Sequence, residues 1–145
     1  MRLLAAAALL AGAAPAQVKT TAKPRPVAML VAGCAPSDGP ALRLTVARSG
    51  TACKASVRDT ITLSLWKDIP PTAGKAYELV GGDNGNANRC PKPGACSMAT
   101  RASVSFDTFD AKGGKGHWSA TFSDGTTEEG DFDAAFCDDT PKPCG

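Results

Sequence analysis

The chain has 145 residues, with 16 Lys and Arg against 14 Asp and Glu, a formal charge of +2 at pH 7. Without a leader about 130 residues remain, enough for one domain around one core and too few for two. A charge so close to zero gives no reason to expect a nucleic acid or another polyanion as partner.

Residues 1–16 begin with one positive charge at Arg2, continue through an apolar stretch and end Ala14-Pro15-Ala16, the small-residue pattern that signal peptidase cuts. The stretch falls short of the roughly 20 apolar residues that a spanning helix requires, so no transmembrane segment is expected. Residues 1–16 therefore read as a bacterial signal peptide, 17–33 as an extended N-terminal segment able to join the first strand, and 34–145 as a single all-β domain. A competing reading starts at Val31-Ala32-Gly33-Cys34, which resembles the lipobox of bacterial lipoproteins, where the cysteine is acylated. Against it, the apolar run before Cys34 covers only Val27–Gly33.

Cysteine parity points the same way. Cys34, Cys53, Cys90, Cys96, Cys137 and Cys144 form an even set suited to three disulfides in an oxidising compartment, and acylating Cys34 would strand one thiol. A periplasmic or secreted protein is expected. Six cysteines allow fifteen pairings, of which Cys90–Cys96 is the best single choice, because Pro91, Pro93 and Gly94 lie between them in a short turn-forming loop. No Cys-x-x-Cys pair occurs and there is one histidine, so zinc is not expected.

From Val27 onward the pattern is of strands. Leu42, Leu44 and Val46 alternate with Arg43 and Thr45 over 41–48, and Ile61, Leu63 and Leu65 alternate with Thr60, Thr62 and Ser64 over 60–66. Pro70, Pro71 and Gly74 interrupt the chain before a strand over 75–81 carrying Tyr77 and Leu79. Residues 81–88 are almost all turn formers and read as a loop. A strand over 99–107 places Ala102, Val104 and Phe106 on one face, and residues 111–116 read as a turn.

The last two strands, 117–122 and 129–137, carry Trp118, Ala120 and Phe122 and then Phe132, Ala134 and Phe136. A two-residue Asp124-Gly125 loop would send the two sets to opposite faces. A three-residue Ser123-Asp124-Gly125 loop, with Gly125 left-handed, keeps them together and is the preferred form. Six to eight short antiparallel strands braced by disulfides imply a small β-sandwich, with a small β-barrel as the runner-up.

Charge is unevenly placed. Residues 17–101 carry twelve Lys and Arg against five Asp and Glu, and residues 102–145 carry three against nine. Acidic strands pairing with basic ones across a sheet account for this simply.

No catalytic, cofactor or metal residue is assigned. His117, at the start of a strand, needs a positioned partner to act as a base, and no Gly-x-Ser-x-Gly elbow accompanies it. Asp83, Asn84, Asn86 and Asn88 have the composition of a calcium loop without its spacing. Glu128, Asp131 and Asp133 are acidic neighbours on one hairpin, not carboxylates facing across a cleft. Trp66 and Tyr77 are aromatic candidates for stacking on sugars, or for the core.

The segments Cys34-Ala35-Pro36-Ser37-Asp38-Gly39-Pro40-Ala41-Leu42, Ile61-x-Leu63-x-Leu65-Trp66, and Trp118 to Gly125 followed by Gly130 to Cys137 resemble those of a broad set of uncharacterised secreted β proteins of bacteria. The resemblance implies a sandwich-like secreted domain and brings no activity or site residue.

The expectation is an exported, monomeric, non-catalytic β-domain that serves as a binding or structural module of the bacterial cell envelope, needing no cofactor. Its binding loops would be Gly81–Asn88 and Cys90–Cys96. The alternatives are a small periplasmic hydrolase or carbohydrate-active enzyme, and a surface lipoprotein acylated at Cys34.

Overall fold

A computed structural model describes residues 27–56, 58–81, 83–137 and Cys144. The proposed signal peptide, residues 17–26, Asp138 and Asp139 lie outside the described residues. Ten strands are present: β1 (Val27–Cys34), β2 (Pro40–Ala47), β3 (Gly50–Thr51), β4 (Lys54–Ala55), β5 (Thr60–Leu65), β6 (Ala76–Glu78), β7 (Gly85–Lys92), β8 (Ala95–Asp110), β9 (Gly113–Phe122) and β10 (Thr127–Phe136). The described residues contain no helix, hence none long and apolar enough to cross a membrane.

The strands form a closed barrel, the runner-up architecture, rather than the expected two-sheet sandwich. The ring runs β8-β7-β5-β2-β1-β10-β9 and returns to β8. β6 extends the wall on β8 at Ser103–Ser105, beyond the Ser97–Met98 segment that pairs with β7, and β3 with β4 make a separate small hairpin. Seven strands cannot alternate in direction all the way round a ring, so one neighbouring pair must run parallel. That pair is β1 with β10, where Ala28, Met29 and Leu30 lie against Ala134, Ala135 and Phe136. Val27–Gly33 is thus a barrel strand.

β8 makes closure feasible. It is 16 residues long and carries irregularities between Ala99 and Arg101 and between Phe106 and Thr108. Bulges of this kind raise local twist and bend a strand, which lets β8 turn the corner between β7 and β9. The first irregularity also resets parity, so that Ala99 and Ala102 are both buried.

Alternation fills the interior: Leu30, Leu42, Leu44, Val46, Ile61, Leu63, Leu65 and Phe106 meet Trp118, Phe122 and Phe132. Phe106 packs edge-on against both Phe109 and Phe132, with ring centroids 5.4 Å apart in each pair. The indole N–H of Trp118 has no acceptor among the described residues. The packing that such a ring supplies, about 3–5 kcal/mol on truncation, exceeds the about 1–3 kcal/mol that an unmet donor costs.

The β9–β10 hairpin has the three-residue loop. Thr127 pairs with Thr121, the Phe122 N–H donates to the Thr126 carbonyl at 2.9 Å, and Gly125 is left-handed with φ +79. Trp118, Phe122 and Phe132 consequently share the interior.

Two glycine-rich segments expected as turns are strands instead. Gly113–Gly116 opens β9, because a side chain there would block the approach of β8: a Cβ on Gly116 would lie 1.9 Å from the Ser105 carbonyl oxygen. Gly85–Asn88 belongs to β7, because Gly85 and Ala87 turn inward, where a Cβ on Gly85 would meet the Ser64 oxygen at 1.9 Å. Glycine here marks close backbone approach rather than a turn.

Three disulfides brace the ring. Cys90–Cys96 closes a span of 6 residues, Cys53–Cys137 one of 84 and Cys34–Cys144 one of 110. Both long bridges fasten the chain's C-terminal end, beside β1.

Two expected outcomes follow for stability. Gly116→Ala should cost on the order of 3 kcal/mol or more, while Gly33→Ala, where nothing lies within 4 Å of the added carbon, should stay within about 0.5 kcal/mol; urea unfolding of the two variants checks the contrast. Replacing Cys53 and Cys137 by Ser should cost about 4–5 kcal/mol, against about 2–3 kcal/mol for Cys90 and Cys96, since a longer closed loop restrains more of the unfolded chain. Equal urea midpoints for the two double variants would contradict this.

Candidate functional site

With the interior filled, any ligand surface must lie outside the barrel or at its ends. On β2, β5 and β7 the inward Leu, Ile and Ala positions leave the alternate positions facing outward. Strand register sets these in rows. Val31, Arg43, Ser64 and Asn86 are successive partners across β1, β2, β5 and β7, and the next row is Met29, Thr45, Thr62, Asn88 and Met98.

Over these rows lies a groove of about 560 Å³. Arg43, Thr62, Ser64, Asn86 and Asn88 line it, and Trp66 stands at one end. Its walls are the Cys90–Cys96 bridge and the turn at Cys34-Ala35-Pro36. That turn is held by the Ala35 N–H donating to the Gly39 carbonyl at 2.8 Å, and Trp66 is tied to the loop before β7 by its own N–H donating to the Asn84 carbonyl at 2.7 Å. Trp66 also borders two adjoining depressions, of about 240 Å³ and about 430 Å³. Among the described residues, no hydrogen bond or ion pair engages the side chains of Arg43, Thr62, Asn86 or Asn88. The groove thus combines a cation, two amides, hydroxyls and a half-buried indole, all free to meet a ligand.

Another arginine shows the opposite situation. Arg89 has inward parity on β7 and fills one end of the barrel. Its guanidinium lies 4.2 Å from the Phe122 ring centroid and donates to Thr126 Oγ1 at 3.0 Å and Asp124 Oδ2 at 2.8 Å. Glu128 Oε1 is 3.7 Å away. Hydrogen bonds from the Thr126 hydroxyl and N–H, then from Arg89, hold the Asp124 carboxyl well below its usual value.

The remaining sequence candidates fall elsewhere. His117 Nδ1 is 3.0 Å from Asp131 Oδ1, with the side chains 50% and 93% exposed. Ser105 is the partner of His117 on the other side, so Ser105, His117 and Asp131 form a row with the residue types of a hydrolytic triad. No bond joins Ser105 to His117 among the described residues, and none of the three lines the groove or its two adjoining depressions. Asp133 is paired with Lys115 at 2.9 Å. On the acidic hairpin, Asp133 is thus paired with Lys115, Asp124 and Glu128 with Arg89, and Asp131 contacts His117.

Of the residues with calcium-like composition, Asn86 and Asn88 face the groove, whereas the Asn84 amide donates to the Glu78 carbonyl at 3.3 Å and Asp83 lies 3.9 Å from Lys67. No cluster of metal-ligating side chains occurs among the described residues. The two aromatic candidates part company. Tyr77 is buried, its oxygen accepting from the Thr72 N–H at 2.8 Å, while Trp66 lines the groove. Cys34 is bonded to Cys144, which leaves its sulfur no valence for a thioether, and cleavage before it would remove β1 from the ring. Both facts weigh against acylation at Cys34.

Arg43 was legible in the sequence only as an outward position on a strand. Its meeting with Asn86 depends on β5 lying between β2 and β7, which no local pattern encodes. No protein family, curated protein or solved structure matches this chain.

The Asp124 carboxyl gives a pH prediction. A group whose folded pKa lies below its unfolded value of 3.8 contributes stability that is present above that value and is lost as pH falls below it. Wild type should therefore lose stability more steeply below about pH 4 than Asp124→Asn, as read from thermal midpoints across the acid range. Parallel acid limbs would contradict the assignment.

Proposed function

We propose that this protein is an exported, non-catalytic binding module whose ligand surface is the groove over β2, β5 and β7. The observation that carries this reading is the set of unengaged polar side chains converging with Trp66 on one concavity, since placed polar groups beside an aromatic face are what fix a ligand's orientation. Among the described residues, no carboxylate or imidazole lines the main groove, so these residues offer neither a general acid nor a general base there. This favours binding over hydrolysis. The Ser105, His117 and Asp131 row, which has suitable residue types, is exposed at His117 and Asp131 and lines neither the groove nor its two adjoining depressions.

Three disulfides are consistent with an oxidising compartment, and with the leader-like residues 1–16 they support export to a periplasm or beyond. The expected loop sites contribute to the groove in altered form: Asn86 and Asn88 as strand residues on its floor, and the Cys90–Cys96 bridge as one wall.

Paired glycan and peptide arrays test the reading. Wild type should be retained on a defined subset of spots, and the Arg43→Ala, Asn86→Ala, Asn88→Ala triple variant should lose those spots while keeping its thermal midpoint. A triple variant that binds as wild type does would overturn the groove.

A further inference from the structure

We infer that the groove takes a short oligosaccharide carrying a single carboxylate, with a pyranose ring against Trp66 and the carboxylate on Arg43. This rests on the groove being the ligand surface, and it adds the ligand's chemistry.

The choice of a sugar follows from what the floor offers and lacks. β2, β5 and β7 are each paired on both sides, so no strand edge is open there to hydrogen-bond the backbone of an extended peptide. Met98, 61% exposed, is the one large apolar side chain exposed among the described residues, which leaves nothing to hold a lipid chain. What remains is side-chain chemistry. The Asn86 and Asn88 amides, each both donor and acceptor, match neighbouring hydroxyls, which also donate and accept. Two such residues on adjacent rows of one wall give two contacts along a ring or across a linkage.

The indole of Trp66 adds a broad flat apolar face with a polar edge, suited to the C–H face of a pyranose. Because it borders the groove and both adjoining depressions, rings on either side of it find room. The single carboxylate follows from the charge count. Among the described residues, Arg43 is the sole basic residue lining the main groove, and no acidic side chain pairs with it. A planar guanidinium holds one carboxylate through two parallel hydrogen bonds. A phosphate backbone or a polysulfated chain would need a line of cations, and the described residues of the groove supply one cation.

A matched series isolates each part of the assignment: cellobiouronate, its methyl ester and cellobiose, which share one skeleton and differ at a single carbon. Calorimetric titration at low salt is run on the disulfide-bonded protein. Trp66 emission is followed alongside, since the other tryptophan, Trp118, is 1% exposed and responds little. Cellobiouronate is expected to bind about ten- to a hundredfold more tightly than the ester or cellobiose, the span of a charge-assisted hydrogen-bonded pair, and to weaken as salt is added. Arg43→Gln should bring the acid down to the level of the ester without changing cellobiose. Trp66→Ala should weaken all three.

Each other outcome overturns a stated part. Equal affinity for the three sugars, abolished by Trp66→Ala, removes the carboxylate and leaves the groove. Binding of none of the three, together with a peptide array signal lost in the triple variant, removes the sugar and leaves the groove. Acid binding indifferent to both Arg43→Gln and Trp66→Ala removes the groove itself.

Discussion

Closure of the ring through the parallel contact of β1 with β10 is the constraint on which the rest of the molecule depends. Six neighbouring pairs are antiparallel and can form from chain segments that follow one another or nearly so. The seventh joins the first strand to the last, across almost the whole described chain, and bringing such distant segments together costs loop-closure entropy before any contact compensates. The fold meets that cost at one place. The Cys53–Cys137 and Cys34–Cys144 bridges and the Cys137 N–H donating to the Leu30 carbonyl at 2.9 Å gather at the C-terminal end of the chain, beside β1. For a domain of this size, with limited apolar area to bury, covalent restraint at the least local contact is placed where it counts most.

A filled interior then decides where chemistry can occur. Trp118, Phe106, Phe122 and Phe132 occupy the barrel, and Arg89 closes one end by laying its guanidinium on Phe122 and bonding Asp124 and Thr126. On the outer wall, strand pairing converts remote positions into neighbours. Arg43, Ser64 and Asn86 come from three strands and form one line only because β5 pairs with β2 and β7. The disulfide of smallest span, Cys90–Cys96, fastens the local β7–β8 pair rather than the β1–β10 contact, and it also lines the groove.

Legibility in the sequence followed the strength of local alternation. The core faces of β2, β5, β9 and β10 were evident because Leu42, Leu44 and Val46, or Trp118, Ala120 and Phe122, recur with period 2. The Asp124-Gly125 loop could be sized from the need to keep aromatics on one face. β7 escaped because its residues, Gly85, Asn86, Ala87 and Asn88, are turn formers by composition; in place, the small ones fit a crowded interior and the amides face out. The start of β9 was misjudged for the same reason, glycine serving close approach at Gly116. The distinction between sandwich and barrel rests on the reach of β8 and on the pairing of first with last strand, and neither has a short-range signature.

The two polar rows on the outer wall show why residue type alone is a poor guide to function. Ser105, His117 and Asp131 have the functional groups of a nucleophile, a base and an orienting acid, and the His117–Asp131 contact is even of suitable length. His117 and Asp131 are exposed, where water competes for their bond, and no hydrogen bond joins Ser105 to His117 among the described residues, whereas such catalysis depends on positioned groups. Arg43, Ser64 and Asn86 are unremarkable as a list. They differ from the other row in sharing one concavity with the Cys34-Ala35-Pro36 turn and the Cys90–Cys96 bridge. Parity separates the two arginines in the same way. Arg89, facing inward, is consumed by the fold, and Arg43, facing outward and exposed, is left with its hydrogen-bonding capacity intact.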